Sequence, residues 1–179
     1  RWPHKERGMI PPTQFIPVAE EAGLVDAMFW QLLAQACRKS LAAPGDFTLA
    51  VNISPSQVRD QWFPEKVLRT LKETGFPAQR LEIEVTEGFI IDNAARANAI
   101  INRLHDMHVR VALDDFGTGY SSLSYLAKLP FHTIKIDRAF VAQSDKNERK
   151  KGMLKSIVEM VHALQMSVVA EGAETQEEL

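Results

Sequence analysis

The sequence contains a single cysteine, Cys37, so no intrachain disulfide can staple the chain, and a reducing, cytoplasmic setting is expected. Neither sign of charge dominates. The 21 Lys and Arg residues stand against 23 Asp and Glu, a formal net charge of −2, so no global field gathers nucleic acid polymers. No apolar run is long enough to span a bilayer, and no secretory leader opens the chain. The histidines His4, His105, His108, His132 and His162 show no ligand spacing, which argues against a zinc-type cluster. Low-complexity tracts and linkers are absent. The first residue is Arg1 rather than a methionine, which reads as a piece cut from a longer protein.

What is present is the composition of one soluble globular domain, 179 residues with 45% hydrophobic and 25% charged side chains. Five short β-branched or aliphatic runs stand out, at residues 47–52, 81–86, 109–114, 133–137 and 167–171. Helical periodicity fills the gaps, over 24–41, 58–72, 94–107 and 146–165. Ser54 before Pro55 is a helix-start signal, and Thr175 with Glu178 is a candidate capping box. His105 and His108 fall at a helix end, where a cation is favourable. Trp2, Trp30 and Trp62 read as core or interface aromatics, and residues 146–151 as a solvated helix start. Strands separated by helices imply a parallel sheet, either a (β/α)-barrel or an open doubly wound sheet. The lack of a glycine-rich dinucleotide loop after the first strand weakens the second choice.

Polar residues gather at the C-terminal ends of these strands. On 81–86, Leu81, Ile83 and Val85 share one face, while Glu82, Glu84 and Thr86 share the other. That strand alone could be a solvated edge, and Glu82 is read as structural. The other strands deliver Asn52, then Asp114 and Asp115, then Lys135 with Asp137, then Glu171 with Glu174. Taken singly, Asn52 could be a helix cap, the aspartate pair a turn, and Lys135 a surface lysine with its stem on apolar neighbours. Taken together, they occupy the catalytic rim of a (β/α)-barrel. Carboxylates so crowded repel, and a hard divalent cation resolves the conflict. An oxygen-rich donor set suits Mg²⁺ or Mn²⁺, one ion or a pair, as in the cleavage of phosphate esters.

The run Asp114-Asp115-Phe116-Gly117-Thr118-Gly119-Tyr120-Ser121-Ser122 resembles the signature loop of the EAL domain family. Val51-Asn52-Ile53-Ser54, Glu84-Val85-Thr86-Glu87, Ile134-Lys135-Ile136-Asp137 and Glu171-Gly172-Ala173-Glu174 resemble further family motifs, in family order. So do Arg1-Trp2 and the run from Phe15 to Glu20. The resemblance spans residues 1–179 and implies a modified (β/α)8 TIM-like barrel that hydrolyses cyclic di-GMP to linear pGpG. It implies that Asn52, Glu84, Asp114 and Asp115 bind metal, and that Glu171 joins them or steers the attacking water. Lys135 would stabilise that water or the phosphoryl charge. Arg1 would hold a substrate phosphate, with Asp137 and Glu174 on the same substrate side. Glu87 would brace the loop containing Asp115. Homodimerisation, fusion to a sensory or GGDEF domain, and a cytoplasmic domain within a parent that could be membrane-anchored are also implied.

The sequence departs from the family in places. The Glu-Ala-Leu triplet and the last strand are expected outside residues 1–179, and Ala173 replaces a usual valine. About five strands are visible where a closed barrel needs about eight. This segment alone is therefore expected to fall short of full activity and of independent stability. The alternative reading is a catalytically inactive EAL-type module that binds cyclic di-GMP or serves as an interaction scaffold. A third, an unrelated metal-dependent barrel enzyme, explains the carboxylates but not the ordered motifs.

Overall fold

The computed structural model describes residues 2–45, 47–54, 57, 59–92, 94–117 and 123–175. Arg1, residues 118–122 of the signature loop, Pro55, Val58 and the Glu178 end of the capping box lie outside them. An antiparallel hairpin comes first, β1 (Trp2–His4) with β2 (Gly8–Ile10), followed by α1 (Pro12–Glu21) and α2 (Val25–Ala42). The main sheet is built from β3 (Leu49–Asn52), β4 (Leu81–Thr86), β5 (Arg110–Phe116), β6 (Thr133–Ile136) and β7 (Ser167–Ala170). Between them run α3 (Phe63–Thr74), α4 (Glu87–Asp92), α5 (Ala94–Asp106), α6 (Leu123–Leu126), α7 (Arg138–Val141) and α8 (Glu148–Ala163).

All pairings in the main sheet are parallel, and the strand order is strictly sequential, β3-β4-β5-β6-β7. A doubly wound sheet reverses its order at a switch point, and this one does not. Sequential winding is the barrel arrangement, represented here by five strands. The inner strands are buried almost end to end, whereas β3 and β7, at the two edges, are largely half-exposed or exposed.

The core lies on the outer face of the sheet. Leu81, Ile83, Val85, Val111 and Ile134 point there and meet Leu33 and Cys37 of α2, Phe63 and Val67 of α3, and Ile101 and Leu104 of α5. Burial pushes the Cys37 thiol above its ordinary pKa, which suits a packing role rather than a nucleophilic one. Helix α3 stops at Gly75, whose left-handed φ of 71° lets Phe76 N–H return to the Leu71 carbonyl at 3.1 Å. In α5, His105 occupies the last turn and His108 follows it at φ 60°, the helix-end position expected from sequence.

Several expectations are corrected. The hairpin and α1 have no counterpart in the sequence reading, and α1 carries Pro17 inside it. Among the described residues the helix expected from 58 begins at Phe63, after a turn in which Asp60 Oδ1 accepts from Trp62 N at 2.9 Å. Strand β5 does not end at Asp114 but runs through Asp115 to Phe116. Trp30 packs against the core, but Trp2 and Trp62 are 48% and 60% exposed and are not core residues. No helix among the described residues is long and apolar enough to cross a membrane.

His132 enters the sheet just before β6 and accepts a hydrogen bond from Val111 N at 3.3 Å. Burial, then the Arg110 and His105 charges, hold its pKa below 6.5, against a smaller opposing pull from Glu82. The unfolded chain therefore takes up this proton at a higher pH than the folded one. The His132 contribution to stability is fully present above about pH 6.5 and is lost as the pH falls below it. Denaturant unfolding of His132→Gln across this range should show a weaker acid-side loss than the parent; identical pH slopes would contradict the assignment.

Candidate active site and metal cluster

Register decides which side chains meet on the inner face. Asn52 lies beside Glu84, Thr86 beside Asp114, and Lys135 beside Val169. Lower on that face, Glu82 Oε2 accepts from Thr133 Oγ1 at 2.7 Å and from Arg110 Nε at 3.3 Å, which agrees with its structural reading. One level up, the Lys135 ammonium reaches three carboxylates on three strands or strand ends. Its Nζ lies 2.6 Å from Glu171 Oε1, 3.0 Å from Glu84 Oε1 and 3.1 Å from Asp114 Oδ1.

The charges shift one another in definite directions. Burial works against the Lys135 ammonium, but hydrogen bonds to Glu171, Glu84 and Asp114 outweigh it and hold its pKa above the ordinary lysine range. Burial raises the Glu84 pKa, and Lys135 only partly offsets this. Burial also raises Asp115, reinforced by repulsion from Asp114, Asp137 and Glu171. Three carboxylates against one ammonium leave the site in negative excess even before Asp115 is counted.

Successive residues on a regular strand point to opposite faces, so Asp114 and Asp115 would be separated by the sheet. A bulge prevents this. The register of β5 on β6 shifts between Leu113 and Phe116, and Asp115 adopts φ 54°, a left-handed conformation that Asp tolerates better than most residues. Asp115 N donates to Asp114 Oδ1 at 3.0 Å. Carboxylate oxygens of Asp114, Asp115 and Glu171 consequently come within 4.8 Å of one another. This all-oxygen, negatively charged donor set fits a hard divalent cation.

The other sequence candidates sit around this centre. Glu87, buried at the start of α4, accepts from Gly117 N at 2.9 Å and so touches the segment that follows β5. Asp137 caps α7, accepting from Ala139 N at 2.8 Å, and Glu174 Oε1 pairs with Arg138 Nη2 at 2.6 Å. Asn52 is exposed at the end of β3, next to Glu84 in register. Arg1 lies outside the described residues. Arg138 and Phe140 were not anticipated, because their contacts are with residues distant in sequence.

A family model described as the EAL domain matches residues 1–179. The chain belongs to the EAL domain family. This EAL domain is 42% identical to a signaling protein of Caulobacter vibrioides, over all of the chain and 22% of that protein. It is 39% identical to the cyclic di-GMP phosphodiesterase RocR of Pseudomonas aeruginosa, over 99% of the chain and 46% of that protein. Its fold superposes on the PaMucR phosphodiesterase in complex with c-di-GMP at a TM-score of 0.91 and 35% identity, covering 99% of the chain and 74% of that structure. The EAL domain thus spans less than half the length of the two curated relatives. The TIM-like barrel expected from sequence is the architecture of this family.

Replacing Lys135 by methionine removes the cation that bridges Glu84, Asp114 and Glu171. Breaking a buried charge cluster from one side costs about 3–5 kcal/mol. Urea unfolding of Lys135→Met at neutral pH in EDTA should show a loss of that order; a change below about 1 kcal/mol would mean that the ammonium is not what balances the carboxylates.

Proposed function

We propose that this EAL domain is the catalytic part of a metal-dependent phosphodiesterase that hydrolyses cyclic di-GMP to linear pGpG. One observation carries the reading: Asp114, Asp115 and Glu171 converge within 4.8 Å at the strand ends, with Lys135 among the same carboxylates. The names of RocR and of the PaMucR complex support the substrate class. Asn52, Glu84, Asp114, Asp115 and Glu171 hold one or two Mg²⁺ or Mn²⁺ ions. Such ions supply charge neutralisation and water activation for phosphate ester cleavage.

The protein's own groups divide the remaining work. Without metal, Lys135 is held protonated by its hydrogen bonds to Glu171, Glu84 and Asp114, which outweigh the opposing effect of burial. It acts as a fixed cation, directing N–H donors at the attacking water or at a phosphoryl oxygen. Glu171 is the more solvent-open of the three Lys135 partners, with 35% of its side chain exposed against 7% for Glu84 and 11% for Asp114. It is therefore the carboxylate best placed to orient water and take its proton. Water adds to phosphorus, the bond from phosphorus to the 3′-oxygen breaks, and the proton ends on the leaving oxygen. Arg1 holds a substrate phosphate, Asp137 and Glu174 stand on the substrate side, and Glu87 braces the loop after β5 through Gly117. In this reading the domain acts as a homodimer in the cytoplasm, fused to a sensory or GGDEF domain.

The decisive assay incubates the intact parent domain with cyclic di-GMP and Mg²⁺ or Mn²⁺, then adds excess EDTA. The expected result is pGpG formation that EDTA abolishes. Asp114→Asn should lower kcat/KM by about 100-fold or more, beyond the 10–100-fold typical of residues that only support a metal ligand. Saturable nucleotide binding without product would replace this reading with that of a cyclic di-GMP receptor.

A further inference from the structure

We propose that Phe140 is a positioning residue for the carboxylate cluster: its ring, wedged against Gly117, holds the β5 bulge that aims Asp115 inward. The inference rests on the metal-site reading above and extends it to an aromatic side chain that is not one of the cluster's carboxylates. The bulge is the sole reason that adjacent aspartates share one face, and it stands on a φ of 54° at Asp115. A non-glycine residue keeps such a conformation only where its surroundings impose it. Relaxation to a regular pleat would turn the Asp115 side chain to the other face of the sheet.

Gly117, two residues on, is where the surroundings act. Its N–H goes to Glu87, and its φ of 100° is one that few other residues adopt. A Cβ placed on Gly117 would overlap the Phe140 ring, so the ring occupies the space that any side chain there would need. The ring is itself aimed. Asp137 caps the short helix α7, accepting from Ala139 N through its side chain at 2.8 Å and from Phe140 N through its carbonyl at 3.0 Å. The Asp137 N–H points back to the Phe116 carbonyl at 3.5 Å. The segment after the bulge is thus held between Glu87 on one side and the Asp137–Phe140 turn on the other. Losing the ring frees the Gly117 backbone and, through it, Asp115.

Mn²⁺ binding to the full chain, measured by titration calorimetry, tests this with Phe140→Ala, Phe140→Leu and Phe140→Tyr. The expected result is affinity weakened about tenfold or more in the alanine and leucine variants and near the parent value in the tyrosine variant, which keeps the ring. Any lost turnover of cyclic di-GMP in the alanine variant should return at saturating Mn²⁺, which a general loss of fold would not allow. The leucine variant carries the test if the alanine variant does not fold. Parent-like Mn²⁺ affinity in folded Phe140→Ala or Phe140→Leu, or equal loss in Phe140→Tyr, overturns the proposal while leaving the metal-site reading intact. Absence of Mn²⁺ binding by the parent chain overturns both.

Discussion

The Lys135 ammonium lies against carboxylates from β4, β5 and the end of β7, and the inner face of the sheet is organised around this contact. Removing that many charges from water is expensive unless each meets a partner. A second charged layer, Glu82 with Arg110 and Thr133, fills the space below. Because the inner face is committed to ion pairs, the hydrophobic core must lie on the other side, between sheet and helices. The alternation along β4 follows from this division, with Leu81, Ile83 and Val85 outward and Glu82 and Glu84 inward.

That alternation is why much of the fold was legible in the sequence. All five runs became parallel strands, and the four expected helices differ mainly at their ends, whereas the short helices α4, α6 and α7 were not among them. Local signals failed where structure depends on distant partners. The hairpin Trp2–Ile10 is short and largely exposed, so no apolar period announces it, and Pro17 hides helix α1. The site residues were legible as polar groups at strand ends, because that placement depends only on period and position. Their geometry was not. Strand period alone puts Asp115 on the wrong face, and only the left-handed turn at that residue brings it back.

Helix α7 shows how little chain is needed to serve two neighbours. Four residues long, it presents Phe140 to the segment after β5 and Arg138 to the segment after β7. A Cβ on Gly172 would meet the aliphatic carbons of Arg138, and Arg138 goes on to pair with Glu174. The two acidic strand ends, Asp114-Asp115 and Glu171, are therefore flanked by contacts from one capped turn. Asp137 caps it, but nothing in its sequence identifies what the turn will touch.

The strictly sequential strand order also bears on how such a chain is made. Each strand finds its partner in the strand synthesised immediately before it, so no pairing in the main sheet waits for a distant part of the polypeptide. Loop-closure entropy is then met in similar small instalments rather than in one late step. A domain of this kind is suited to assembling from its N-terminal side while the ribosome is still extending it. Its charged centre is complete only once β7 has emerged, because Lys135 meets Glu171 at the end of that strand.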